Sequence, residues 1–96
     1  MAKGYWVAFY RSVPDAEALK QYVELAMPAF KAGGARFLAR GNPAMVSEMG
    51  VEQRVVIIEF DSVEVAMSTY KSPQYQKAAA VLAGKAERDI RIVEGS

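Results

Sequence analysis

The run Val55-Val56-Ile57-Ile58-Glu59-Phe60 is apolar at every position but one. Its β-branched residues favour an extended chain, and because successive side chains on a strand point to opposite faces, both faces of this strand are apolar. A sheet built around it must be covered on both sides. The one charge, Glu59, sits on a strand with little polar company, where a carboxylate needs a partner or a shifted pKa. The remaining residues must therefore supply cover for two faces and an environment for Glu59.

They are few. Ninety-six residues, 52% of them hydrophobic, make a single domain over residues 1–96, since a chain of this length buries only about 60–65% of its unfolded surface and cannot support two cores. Twelve Lys and Arg against eleven Asp and Glu are spread along the chain, so no basic block points to nucleic acid or to an anionic membrane. There is no cysteine and no histidine. Thiol nucleophiles, disulfides and the commonest general base and metal ligand are thereby excluded, and neither a metal nor a cofactor is expected. The opening Met1-Ala2-Lys3-Gly4 runs into a six-residue apolar stretch, Tyr5 to Tyr10, too short for a signal-peptide core or a membrane span, so a cytoplasmic location is the expectation.

Tyr5 to Tyr10 is rich in aromatic and branched residues and predicts a first strand, apolar on both faces. Ser12-Val13-Pro14-Asp15 ends it, with Asp15 placed to cap a helix carrying Glu17 in its first turn. Leu19, Tyr22, Val23, Ala26 and Phe30 then recur at helical spacing, opposite Lys20, Gln21, Glu24 and Lys31, and Gly33-Gly34 closes the helix. A second strand is expected over 36–40, a bulge at Gly41-Asn42-Pro43, a resumed strand over 44–48 and a turn near Met49-Gly50. The third strand is 54–60. Asp61 or Ser62 caps a helix with Val63, Ala66, Met67 and Tyr70 facing inward, Ser72-Pro73 opens another helical piece towards Gly84, and Asp89 to Val93 forms a final edge strand.

No internal repeat appears, and the order is strand, helix, strand, strand, helix, strand. This predicts an α+β, ferredoxin-like βαββαβ fold: a four-stranded antiparallel sheet with its helices on one face and strands one and three in the middle. The middle strands are the ones apolar on both faces. With helices on a single face, a large apolar surface is left bare, and burying it against a second copy of the chain is the natural remedy. A homodimer is expected.

Gly4-Tyr5-Trp6-Val7, Pro28-Ala29-Phe30, Phe37-Leu38-Ala39-Arg40-Gly41, Ile58-Glu59-Phe60, Ser72-Pro73-Gln74-Tyr75-Gln76 and Ile92-Val93-Glu94-Gly95 together resemble the bacterial DUF1330 family, over essentially the whole chain. The resemblance implies a dimeric α/β barrel, the architecture of small cofactor-free monooxygenases, lactone isomerases and stress-response barrels. It implies no particular reaction. The chain departs from the family's pattern at Asn42, where a second glycine is usual, and continues into the apolar Pro43-Ala44-Met45-Val46.

Arg40 and Glu59 fall on strands expected to be neighbours, and a bulge at 41–43 would set them face to face. As a functional pair, Arg40 binds an anionic group while Glu59 orients the ligand or accepts a proton; as a scaffold pair they hold the sheet together. Ser72 opens a helix whose free N–H groups suit an anion, though plain capping explains it as well. Trp6, Tyr22 and Tyr75 supply aromatic walls and hydroxyls that serve either a pocket or ordinary packing. The aromatic sheet of an RNA-binding module would need a basic, glycine-rich strand that is missing. The resulting expectation is a cytoplasmic homodimer with a pocket between sheet and helices, lined by Trp6, Tyr22, Arg40, Glu59 and Tyr75, for a small anionic metabolite. The alternatives are a cofactor-free isomerase, lyase or oxygenase using Glu59 and Arg40, and a non-enzymatic dimer module.

Overall fold

The computed structural model describes residues 2–12 and 15–96; the expected break at Val13-Pro14 lies outside the described residues. The elements run β1 (Gly4–Ser12), α1 (Ala16–Ala32), β2 (Arg36–Gly41), β3 (Val55–Phe60), α2 (Val63–Lys71), α3 (Pro73–Leu82) and β4 (Glu87–Glu94). All pairings are antiparallel and the sheet order is β2-β3-β1-β4. The two doubly apolar strands are therefore the inner ones, as their composition demands.

Alternation along the strands sorts the side chains. Trp6, Ala8 and Tyr10 on β1 and Val56, Ile58 and Phe60 on β3 are buried beneath the helices. Helix α1 begins where the Asp15 carboxylate accepts the Ala18 N–H at 3.1 Å, and it buries Ala18, Tyr22, Ala26, Ala29 and Phe30. Ser62, not Asp61, caps α2 by accepting from Val65 N at 3.2 Å. The inward residues of α2 are Ala66 and Thr69, whereas Met67 faces solvent. Tyr70 is partly exposed, but its ring centroid lies 5.5 Å from that of Trp6.

Trp6 is the hub of this layer. It is 1% exposed, and its ring meets Phe30 edge-on at 5.1 Å and Tyr75 edge-on at 4.9 Å between centroids, with Phe60 stacked at 6.0 Å. Such offset and edge-to-face pairs suit the aromatic quadrupole.

The helices cover one face only. On the other lie Tyr5, Val7 and Phe9 of β1, Val55, Ile57 and Glu59 of β3, and Asp89, Arg91 and Val93 of β4, by their register opposite one another. Phe9 and Val93 are exposed there.

The hairpin between β2 and β3 corrects the sequence reading twice. Residues 44–48 form no strand, because Gly41 already pairs with Val55, the first residue of β3, and nothing extended remains opposite them. Pro43 also lacks a donor, and Met45 is 82% exposed, so the stretch has no face to bury. The irregularity in β2 lies between Phe37 and Ala39 rather than at Gly41 to Pro43. One extra residue at Leu38 reverses the facing of all that follows.

Candidate functional site

Strict alternation from Arg36 would put Arg40 on the open face with Glu59. The bulge at Leu38 prevents this. Arg36 stands opposite Glu59, while Arg40 stands opposite Val56 and faces the helix side of the sheet, exposed at its edge, its guanidinium carbon 4.8 Å from the centre of the Phe37 ring. Arg40 and Glu59 thus lie on opposite sides of the sheet, and the expected pairing does not form.

Glu59 finds other partners. Arg36 Nε donates to its Oε1 at 2.8 Å and the Tyr5 hydroxyl to its Oε2 at 3.0 Å, while Arg36 also reaches Asp61 at 3.1 Å. The Arg36 hydrogen bond, followed by that of Tyr5, holds the Glu59 pKa below the usual carboxylate value, and the same pair raises that of Arg36. Each oxygen of this carboxylate thus accepts one hydrogen bond and its charge is balanced.

Beneath the helices the situation is reversed. A cleft opens between α1 and the end of the sheet, floored by Trp6, Phe30 and Ile58 and lined by Tyr22, Arg40, Arg54 and Arg88. Its room is about 30 Å³, against the roughly 10–15 Å³ that a single water requires. None of its three arginines makes an ion pair with a carboxylate among the described residues, whereas Arg36 and Arg91 do.

Arg88 is held by aromatic groups instead. Its guanidinium carbon is 4.8 Å from the Tyr22 ring centre and 5.7 Å from that of Tyr10, and its Nη1 donates to the Tyr75 hydroxyl at 3.4 Å. The Tyr22 and Tyr75 hydroxyls lie 2.8 Å apart. Burial works against the charge of Arg88, but the oxygens of Tyr75 and Tyr22 beside it outweigh that effect and its pKa is raised. Burial, with Tyr75 next in weight, pushes the Tyr22 phenol well above its ordinary value, and burial raises Tyr75 too. Near neutral pH the group is therefore a protonated guanidinium and two neutral phenols.

The remaining expected site residues fall as follows. Tyr75 is fully buried and does not line the cleft, but stands behind it against Trp6, Phe30, Tyr22 and Arg88. Ser72 is a cap: its hydroxyl accepts from Tyr75 N at 3.1 Å and donates to Thr69 O at 2.8 Å. Trp6 and Tyr22 line the cleft with Arg40, and Glu59 does not.

Arg54 and Arg88 were not among the expected residues. The signal for Arg88 is present in the sequence, since Arg88, Ile90 and Ile92 alternate, an arginine continuing an apolar face. A strand begun at Asp89 cuts it off; β4 begins at Glu87. Among the described residues no group of three or more Asp and Glu is arranged to hold a metal ion, and no helix is long and apolar enough to cross a membrane.

Comparison with solved structures supports the fold over almost the full length. A protein of unknown function from Rhodopseudomonas palustris superposes with a TM-score of 0.77 at 17% identity, covering 99% of this chain and 83% of that one. A protein provisionally described as an antibiotic biosynthesis monooxygenase, from Caulobacter crescentus CB15, gives 0.67 at 18% identity over 99% and 91% of the two chains. A dimeric protein of unknown function and ferredoxin-like fold from Bacteroides fragilis gives 0.58 at 18% identity over 97% and 95%. Identities this low speak to fold alone. Comparison with curated proteins gave no match. The family model for a domain of unknown function, DUF1330, matches residues 3–96.

Proposed function

The chain belongs to the DUF1330 family, and on that premise we propose that it is a homodimer in which each protomer binds a small anionic metabolite in the arginine cleft beneath its helices. One observation carries the ligand reading: Arg40, Arg54 and Arg88 line a single aromatic cleft without a carboxylate partner among the described residues. Like charges lining one cleft repel unless an anion joins them, and guanidinium groups offer planar pairs of donors suited to a carboxylate.

The dimer reading rests on the bare sheet face and on relatives of this fold described as dimeric. Val7, Phe9, Val55, Ile57 and Val93 form an apolar strip bordered by the Arg36–Glu59 and Arg91–Asp89 pairs. An apolar centre with a charged border is how subunit interfaces are built. Glu59 and Arg40 are not offered as a catalytic pair, because within one protomer the sheet stands between them.

A thermal-shift screen against small carboxylates tests the ligand reading. At a hundredfold excess over Kd a ligand stabilises by about 2.7 kcal/mol, which for a domain of this size raises Tm by roughly 10–20 °C; Arg88→Met abolishes the response. A wild-type protein unmoved by every carboxylate tested would end the proposal. For the assembly, sedimentation should give a dimer at micromolar concentration and a monomer for Ile57→Lys, and a monomeric wild type would refute it.

A further inference from the structure

The apolar residues of the hairpin that joins β2 to β3, residues 42–54, find little cover within their own protomer. Met49 is 94% exposed, Met45 82% and Val51 38%. The hairpin nevertheless has a definite shape. Gly50 N donates to Ser47 O and Gln53 N to Val51 O, both at 2.8 Å, and Glu48 between them takes the left-handed conformation at φ 51°. It also leans to one side of the sheet. Met49, Val51 and Gln53 line a trough together with Phe9, Val55 and Arg91 of the bare face, so the exposed apolar residues of the hairpin continue the apolar strip of the sheet.

The bare face is small for a subunit interface. Four strands about 4.8 Å apart, paired over six residues of about 3.4 Å each, give a flat footprint of roughly 400 Å². A stable pair buries about 800 Å² on each partner. The hairpin is the surface, continuous with the sheet, that makes up the difference. Its charges suit a protein rather than an anionic lipid surface, since Glu48 and Glu52 flank Met49 and Val51 and no basic residue precedes Arg54 in the segment. Neither carboxylate makes an ion pair among the described residues, and neither does Arg11 on the rim of the trough. In a two-fold pair each copy offers the other both an acidic hairpin and an Arg11. Resting on the dimer reading above, we propose that the 42–54 hairpin is a clasp for a second copy of this chain, packing Met45, Met49 and Val51 against the partner beyond the edge of the facing sheets.

Sedimentation equilibrium of the wild type and of the double variant Met45→Gln, Met49→Gln tests this. Both side chains are exposed in the protomer, so the variant should fold, and its dimer should be weaker by about tenfold for each methionine that leaves the interface. An unchanged dimer Kd would overturn the clasp and leave dimerisation through the sheet standing. A second variant reads the cover directly. The chain has no cysteine, so Met49→Cys carries a single thiol, and its rate of maleimide labelling should fall about tenfold or more between concentrations well below and well above the dimer Kd, as a side chain leaves water for a packed interface. With Ile57→Lys added, the fast rate should hold throughout. Equal rates in monomer and dimer would overturn the inference, and so would a fall seen only on adding phosphatidylcholine–phosphatidylglycerol vesicles. A wild type that stays monomeric would remove both this inference and the dimer reading on which it rests.

Discussion

Two adjacent glycines close α1, and the same substitution should fail in each for a different reason. Gly34 has φ +72° and open space around its Cα, so an alanine there is strained by its backbone alone, at a cost of about 1–2 kcal/mol. Gly33 has φ −83°, which any residue adopts. A methyl there instead strikes Thr69 Oγ1 and comes within 3.3 Å of Phe60 Cε2. Thr69 cannot turn away freely, because its hydroxyl donates to Val65 O at 2.9 Å and the residue is buried. Overpacking of this kind costs about 1–3 kcal/mol, and the stiffer unfolded chain returns about 0.4–1 kcal/mol. The net loss for Gly33→Ala is about 1–2 kcal/mol, out of about 5–14 kcal/mol for a domain of this length. The steric origin is exposed by a double-mutant cycle. Thr69→Ala should couple to Gly33→Ala by about 1 kcal/mol or more in the stabilising direction, and to Gly34→Ala by less than about 0.5 kcal/mol. Urea unfolding followed by far-UV circular dichroism, at one fixed protein concentration because association contributes, measures all the corners. Additivity in the Gly33–Thr69 cycle would refute the close approach of α1 to α2.

Two further outcomes follow from contacts already described. Trp6→Ala should cost about 3–5 kcal/mol, as loss of a fully buried aromatic hub does, whereas a loss under about 1 kcal/mol by the same unfolding assay would mean that the ring lines a void rather than the core. Glu59 has its pKa depressed by Arg36 and Tyr5, so its share of stability is present above the unfolded value of about 4.5 and is lost as the pH falls through the lower folded value. The acid limb of a stability-against-pH curve should accordingly flatten in Glu59→Gln, and an unchanged limb would show that the Arg36 pair contributes nothing.

The fold was legible because its signals are local and mutually consistent. The doubly apolar Val55–Phe60 run, the one-sided helix ending at Gly33-Gly34 and the Ser72-Pro73 restart each act within a few residues, and together they allow one topology. Trp6, Tyr22 and Arg40 line one cleft, Arg40 only because of the irregularity in β2. The Arg40–Glu59 pairing was not legible, since it depends on a single bulged residue at Leu38 that reverses the facing of everything after it. Nothing in Phe37-Leu38-Ala39 distinguishes a bulged leucine from a paired one.

By itself, the order of amino acids determined the α+β topology, the identity of the inner strands, the existence of a second apolar face and the absence of histidine and cysteine chemistry. These are consequences of periodicity and composition, which act over one or two turns of chain. Only the tertiary structure decided which arginine meets which carboxylate, because strand register is a choice made between segments far apart in sequence. By giving Glu59 to Arg36 it left Arg40, Arg54 and Arg88 in a cleft without a counter-charge among the described residues, and that is where the proposed ligand belongs.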